Sequence, residues 1–236
     1  MRLLAFETAT RHLSVALWQD GELIERAEDV PNGGSERLLP WVHELLAEAG
    51  LVLAQIDGIA FGAGPGGFTG LRLACGVAQG LAYGLDLPVM PVSTLEALAL
   101  ASGESDVWAC LDARMNEVYS AAYRVEGETV IQLMAPVCVP PAVAPAPTFA
   151  GGWGVGDGFA SYGQLLLEQK PDLKGLRAGV FPTAAAVARL AAPAFSNGAA
   201  LQAALAQPIY VRDKVAQTTA ERLAARLDSE RIAAAA

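Results

Sequence analysis

Three short runs of apolar and mixed positions, separated by polar turns, follow one another like a meander over the first thirty residues. Leu3 to Phe6, Leu13 to Trp18 and Glu22 to Ala27 read as strands, with a tight turn at Asp20-Gly21. Beyond residue 100 the same succession returns. Val107 to Leu111 and Val118 to Tyr123 are strands, Glu126-Gly127 turns, and Glu128 to Leu133 is a third strand. Each series ends its first strand in an acid, Glu7 and Asp112. Three strands, an acid and a turn in the same order imply a duplicated unit. The break is expected near Ser102-Gly103, giving subdomains 1–102 and 103–236.

Between the two series the apolar positions take up helical spacing. Leu38, Leu39, Val42, Leu45, Leu46 and Ala49 recur at i, i+3, i+4 and i+7, which predicts a helix ending near Gly50. Ser35 is its expected N-cap, and Pro40 is expected to delay the regular helix to about Leu39. Gly58 to Phe61 reads as a buried strand, followed by a helix from about Thr69 to Leu85. Val89 to Val92 is another strand, and Ser93-Thr94-Leu95-Glu96 is a capping box opening a third helix. Further on, 136–147 is a proline- and alanine-rich connection, and Thr148 to Gly158 is a strand entering a glycine turn. Short helices are expected at 162–169 and 183–191, an extended segment at Pro208 to Arg212, and a last helix at 216–227. Strands alternating with helices make the class α/β.

Composition narrows this picture. The 236 residues suit two compact domains, and 53% are hydrophobic against 17% charged. Such a balance implies large buried faces or an apolar surface that a partner covers. The longest uncharged stretch, Thr129 to Gly156, carries five prolines among its residues 136 to 147, so it cannot be one membrane-spanning helix. Glu7 interrupts the N-terminal apolar run, against a signal peptide. Cys75, Cys110 and Cys138 form no CxxC pair, which reads as reduced thiols in the cytoplasm. A net charge of −9 makes the chain a poor solitary binder of nucleic acid.

The chemistry-bearing residues are few. His12 and His43 are the two histidines, and neither belongs to an HxxxH or Cys/His pattern, so no metal site is expected. No GxSxG nucleophile is present. Glu7 and Asp112, at the ends of facing strands, suit either a hydrated Mg²⁺ beside a nucleotide or the capping of turns. Gly62 to Arg72 is glycine-dense but ends in neither the Lys-Ser/Thr of a P-loop nor a dinucleotide fingerprint. It cradles phosphate on bare N–H groups or makes a tight strand-to-helix crossing. Candidate nucleotide contacts are therefore Glu7, Thr8, Gly64, Gly66, Gly67 and Asp112. In the helix that follows, Arg72, Gly76, Gly80 and Gly84 form one row. Each interior glycine costs about 1 kcal/mol against alanine, so close packing should offset it. The packing partner is this chain's own sheet, its 39–49 helix, or another subunit.

Five blocks carry a family resemblance: Ser35-Glu36-Arg37-Leu38-Leu39-Pro40, Gly64 to Arg72, Ser93 to Leu98, Asp112 to Tyr119, and Pro208 to Arg212. In this order the chain resembles the TsaB (YeaZ) family. Three positions depart from the family pattern. Glu7-Thr8 stands for Asp-Thr, Gly34 for histidine and Gly67 for serine, the first weakening a metal-nucleotide role at that strand end. The resemblance implies the duplicated actin/sugar-kinase/Hsp70-like α/β fold. It implies a non-catalytic subunit that binds TsaD, a paralogue with a histidine metal motif, and joins TsaE in a ternary complex. That complex transfers threonylcarbamoyl to the adenosine next to the tRNA anticodon. tRNA is then met only through the complex, and a homodimer is open to the free chain. No cofactor is implied on this chain, ATP or ADP and Mg²⁺ entering at the level of the complex. Family members pair through helices here at about 35–49 and 69–85, which places Ser35, Leu38, Leu39, Val42, Arg72, Gly76 and Gly80 at the partner face. An ATP-dependent small-molecule kinase of the same superfold is the alternative.

Overall fold

The computed structural model describes residues 1–30 and 34–212. The first half contains strands β1 (Arg2–Glu7), β2 (His12–Gln19) and β3 (Glu22–Asp29) and helix α1 (Ser35–Glu48). It continues through β4 (Gly58–Gly64), α2 (Phe68–Leu85), β5 (Pro88–Ser93) and α3 (Thr94–Ala101). The second half contains β6 (Asp106–Asp112), β7 (Val118–Glu126), β8 (Thr129–Val139), β9 (Trp153–Val155), α4 (Asp157–Gln169), β10 (Gly175–Arg177) and α5 (Ala184–Ser196). A two-residue strand, β11 (Leu201–Gln202), follows.

The first sheet runs β11-β5-β4-β1-β2-β3 and the second β10-β9-β6-β7-β8. Leaving out the short edge strand β11, both halves place their strands in the order fifth, fourth, first, second, third. The central strands correspond in register: Ala5 faces Ala16 and Ala60, as Ala109 faces Ala121 and Val155. The duplication read from the three-strand series thus extends to the whole sheet order.

Alternation along β1 explains how the first sheet is covered on both sides. Leu4 and Phe6 point to one face and pack with Leu38, Trp41 and Leu45 of α1 and Ala74 and Ala78 of α2. Ala5, with Ala16 and Ala60, forms a shallow floor on the other face, where Ala184, Val187, Ala188 and Ala191 bring α5 close. Helix α3 packs Leu95, Leu98 and Ala99 onto β6 and β7. Each half's last helix therefore lies on the other half's sheet. Apart from β11, which joins the first sheet, the strands of the two sheets lie on either side of residue 102, and the exchanged helices interlock them.

Side-chain caps mark both exchanged helices. Ser93 Oγ accepts the Glu96 N–H at the start of α3, and Thr183 Oγ1 accepts the Ala186 N–H at 3.1 Å at the start of α5. Thr183→Ala should lower stability by about 1 kcal/mol. Urea unfolding would show it as a lower midpoint at unchanged slope; an unchanged midpoint would contradict the cap.

Several local expectations are corrected. The N-cap of α1 is Gly34 at φ +97°, not Ser35, which is the first helical residue. The helix starts there despite Pro40, because Pro40 and Glu36 are both exposed and the Glu36 carbonyl that proline leaves unbonded can meet water. Strand β8 runs through Pro136 to Val139, on the sheet edge where proline is tolerated, with two register shifts against β7. The strand expected at 148–158 is only Trp153–Val155. Helix α4 begins at Asp157 and is irregular at Tyr162. Pro208 to Arg212 joins no sheet among the described residues. The helix expected at 216–227 lies outside the described residues.

Candidate functional site: the interlobe cleft and the open face of α2

A cleft of about 750 Å³ separates the halves at the carboxyl ends of β1 and β6. One wall is the Thr8–Arg11 turn with the loop 65–71. The other is Asp112 to Arg114 with Asp157 and Ser161 of α4, and Tyr210 and Arg212 close the rim.

The glycine-rich loop seals one wall by backbone contact. The Gly67 N–H donates to Ala9 O at 2.7 Å, and Thr8 Oγ1–H donates to Gly70 O at 2.6 Å. A Cβ at Gly70 would sit 1.9 Å from Thr8 O, and one at Gly66 would sit 2.7 Å from Ala9 O. The Gly64 N–H donates to Thr94 Oγ1 at 3.1 Å. Two of the three glycine amides expected to hold phosphate are thus engaged inside the protein. Glycine is required here because two main chains touch, as a tight crossing demands.

The two strand-end acids do not share a pocket. Glu7 is fully buried beneath the cleft wall and does not line the cleft. Its Oε1 accepts the Ala9 N–H at 2.7 Å, and its Oε2 accepts the Thr94 hydroxyl at 3.3 Å. It lies over Gly62, where a Cβ would meet Oε2 at 1.9 Å. Burial pushes its carboxyl up to about 7, against the lowering effect of those hydrogen bonds. Asp112 does line the cleft, but Oδ1 accepts the Arg114 N–H and Oδ2 pairs with the Arg114 guanidinium at 3.2 Å. Its own N–H donates to Asp157 Oδ1 at 3.0 Å. Desolvation raises the Asp157 carboxyl, and that N–H partly offsets it. Asp157 was not singled out from the sequence; only its place after the glycine run 151–156 could have marked it. Among the described residues no three His, Cys, Asp or Glu side chains converge as metal ligands. His12 pairs with Asp29 at 2.7 Å, and His43 is exposed on α1.

The residues expected at a partner face divide by helical phase. Leu38 and Val42 face inward in the core under α1, because they share a side with Trp41 and Leu45. Ser35 and Leu39 are exposed on the other side, as are Arg72, Gly76 and Gly80 on α2. The glycine row packs on neither the sheet nor α1. Among the described residues, a Cβ added at Gly76, Gly80 or Gly84 would meet no atom within 4 Å. A shallow groove runs over Gly76 and Gly80 between Tyr83, which is 81% exposed, and Ala203-Ala204.

Two halves of one sheet order, exchanged last helices and a cleft at the carboxyl ends of the central strands define the duplicated actin/sugar-kinase/Hsp70-like superfold. Within it, residues 30–152 match the family model for TsaD, the tRNA N6-adenosine threonylcarbamoyltransferase. The chain is 36% identical over 227 residues to the tRNA threonylcarbamoyladenosine biosynthesis protein TsaB of Escherichia coli, covering 92% of this chain and 96% of that one. With the Haemophilus influenzae TsaB it shares 37% identity over 230 residues, 91% of this chain and 95% of the other. The solved structure of YeaZ from Pseudomonas aeruginosa superposes with a TM-score of 0.81 at 38% identity, over 89% of this chain and 99% of that one. The chain belongs to the TsaB (YeaZ) family.

Proposed function

We propose that this chain is a non-catalytic subunit of the machinery that makes threonylcarbamoyladenosine in tRNA. In this reading it binds TsaD, and with TsaE supports transfer of the threonylcarbamoyl group. The observation that carries the docking role is the open glycine row of α2. Three interior glycines forgo roughly 3 kcal/mol relative to alanine, a large part of the 5–15 kcal/mol that holds a domain folded. Nothing inside the described chain offsets this, since their Cβ directions are empty. A partner helix lying in the groove would approach its backbone closely and recover that loss in contact. The acidic chain would meet tRNA through the complex, and a second copy could occupy the same face when the chain is alone.

The presence of a cleft raises one second reading, a small-molecule kinase. Asp112, at the cleft wall, is already paired with Arg114 and Glu7 is shut away below, so the two strand-end acids do not present a free carboxylate pair to a nucleotide. Reconstitution decides between the two. Transfer to tRNA by TsaD and TsaE should require this chain, and the chain alone should neither bind ATP tightly nor transfer phosphate. Gly80→Leu should abolish co-elution with TsaD while the unfolding midpoint of the free chain stays unchanged or rises. Transfer that proceeds equally well without the chain would end the proposal.

A further inference from the structure

Among the described residues the segment Ala206–Arg212 has no ladder partner, yet it is fastened at both ends to different halves. Its first anchor is on the first half. Gln79 Nε2–H of α2 donates to Ala206 O at 2.9 Å, and the Ile209 N–H donates to Ala63 O at 2.7 Å, at the end of β4. A Cβ at Gly64 would meet Ile209 O at 2.8 Å, so the segment lies directly on the start of the glycine loop. Tyr210 then leans toward Phe68, with ring centroids 6.3 Å apart, and Arg72 stacks its guanidinium 3.7 Å over that same Phe68 ring.

The second anchor is on the other half. Arg212 Nη2–H donates to Ala113 O at 2.9 Å and pairs with Glu117, and the guanidinium lies over the Tyr119 ring at 5.9 Å. Its side chain is 17% exposed. The turn it grips needs fastening. Arg114, Met115 and Asn116 lie at φ +59°, +54° and +60°, three successive non-glycine residues in left-handed conformation, each of them costly. The turn's own bonds are Ala113 N–H to Glu117 O, Glu117 N–H to Arg114 O, and Asp112, which accepts the Arg114 N–H at Oδ1 and pairs with the exposed Arg114 guanidinium at Oδ2. A bidentate-capable, partly desolvated guanidinium bonding a main-chain carbonyl and a carboxylate of this turn is a strong fixture.

Between the anchors, Pro208 removes a donor and stiffens the chain, and Ile209 to Arg212 line the cleft rim. Only Tyr210 and Val211 separate the Ile209 anchor from Arg212, so displacement at one anchor is transmitted to the other.

We propose that residues 206–212 are an interlobe strap. It ties the end of β4 and the glycine loop to the β6–β7 turn, with Arg212 as its lock, so that neither anchor opens without the other. The two halves of the cleft rim then move as one unit.

Amide hydrogen exchange on the full chain tests this by reciprocity. Arg212→Met keeps the aliphatic stem and removes the donors. Exchange should rise at least tenfold both in the 113–117 turn and at the Ile209 amide, while amides in β1 and β6 stay as they were. Ile209→Pro, which deletes the donor at the opposite anchor, should loosen the 113–117 turn in the same way. Loosening confined to whichever end was altered would reduce the segment to two independent contacts and overturn the strap, as would no change at either end. Should Arg212→Met raise exchange throughout the molecule, Glu117→Gln, which removes only the acceptor's charge, decides by the same two-ended pattern.

Discussion

Gly70→Ala is expected to destabilise the protein by about 3 kcal/mol or more, whereas Gly80→Ala, in the same helix, should stabilise it by about 1 kcal/mol. Helix propensity alone predicts the same gain at both positions. The difference is what the new methyl group meets. At Gly80 it meets none of the described residues, so only the entropy of the unfolded chain and the helix propensity respond. At Gly70 it lands 1.9 Å from Thr8 O and 2.9 Å from the Thr8 carbonyl carbon. Neither is the end of a flexible side chain. The first turn of α2 and the β1–β2 turn must separate, and the bonds between Thr8 Oγ1 and Gly70 O and between Gly67 N and Ala9 O stretch with them. Overpacking costs 1–3 kcal/mol, and each disrupted hydrogen bond adds about 1 kcal/mol. Urea unfolding of the two variants should move the midpoint in opposite directions. Equal shifts would mean that the glycine-rich loop tolerates a side chain and that its backbone contacts are unimportant.

The contrast also shows what the sequence could and could not say. The glycines at 66, 70, 76 and 80 look alike on paper, and a row at i+4 spacing permits several neighbours. Only geometry separates those that touch the chain's own backbone from those that face outward. Much of the fold was legible, because the short apolar runs of β1 and β6 are each followed by two further strands and an acid-Gly turn at nearly the same spacing, and because Ser93-to-Glu96 capping is local chemistry. Strands β10 and β11 were missed, since two or three residues carry no period. The early end given to the third strand of the second half followed from Pro136, whose tolerance depends on β8 being a sheet edge, a property of topology rather than of sequence. The site was less legible than the fold. Glu7 and Asp112 occupy equivalent strand ends, but one side chain folds inward over Gly62 and the other lies along the cleft wall. The available signal was Gly62 itself, a residue without a side chain in a fully buried strand, which marks a close approach. Arg212 sat in a motif without an evident role, because its partners Ala113 and Glu117 are about a hundred residues away and are brought near only by the crossing of the halves.

Glu7→Gln is expected to stabilise the protein by about 3 kcal/mol above pH 7 and to leave it nearly unchanged below pH 4.5. The folded carboxyl lies at about 7 against an ordinary 4.5, so the native state holds a proton that the unfolded chain has lost across that window. Stability contributed by this group is therefore complete below pH 4.5 and falls as the pH rises toward 7. Above that, the protein carries an ionised carboxylate in its core. Two contacts, the Ala9 N–H at 2.7 Å and the longer Thr94 hydroxyl at 3.3 Å, compensate only part of the lost hydration. Glutamine reproduces the protonated acid: its carbonyl accepts from Ala9 and its amide donates to Thr94 Oγ1, which still accepts the Gly64 N–H. The variant should lose the downward slope of stability between pH 5 and 7 that the parent shows. Urea midpoints at pH 5 and pH 8 suffice to measure it. A parent whose stability rises over that interval, with Glu7→Gln less stable at pH 8, would mean that the buried carboxylate is ionised and well paired. It would then serve as a fixed negative charge under the cleft wall rather than as a neutral hydrogen-bonding strut between the β1–β2 turn and α3.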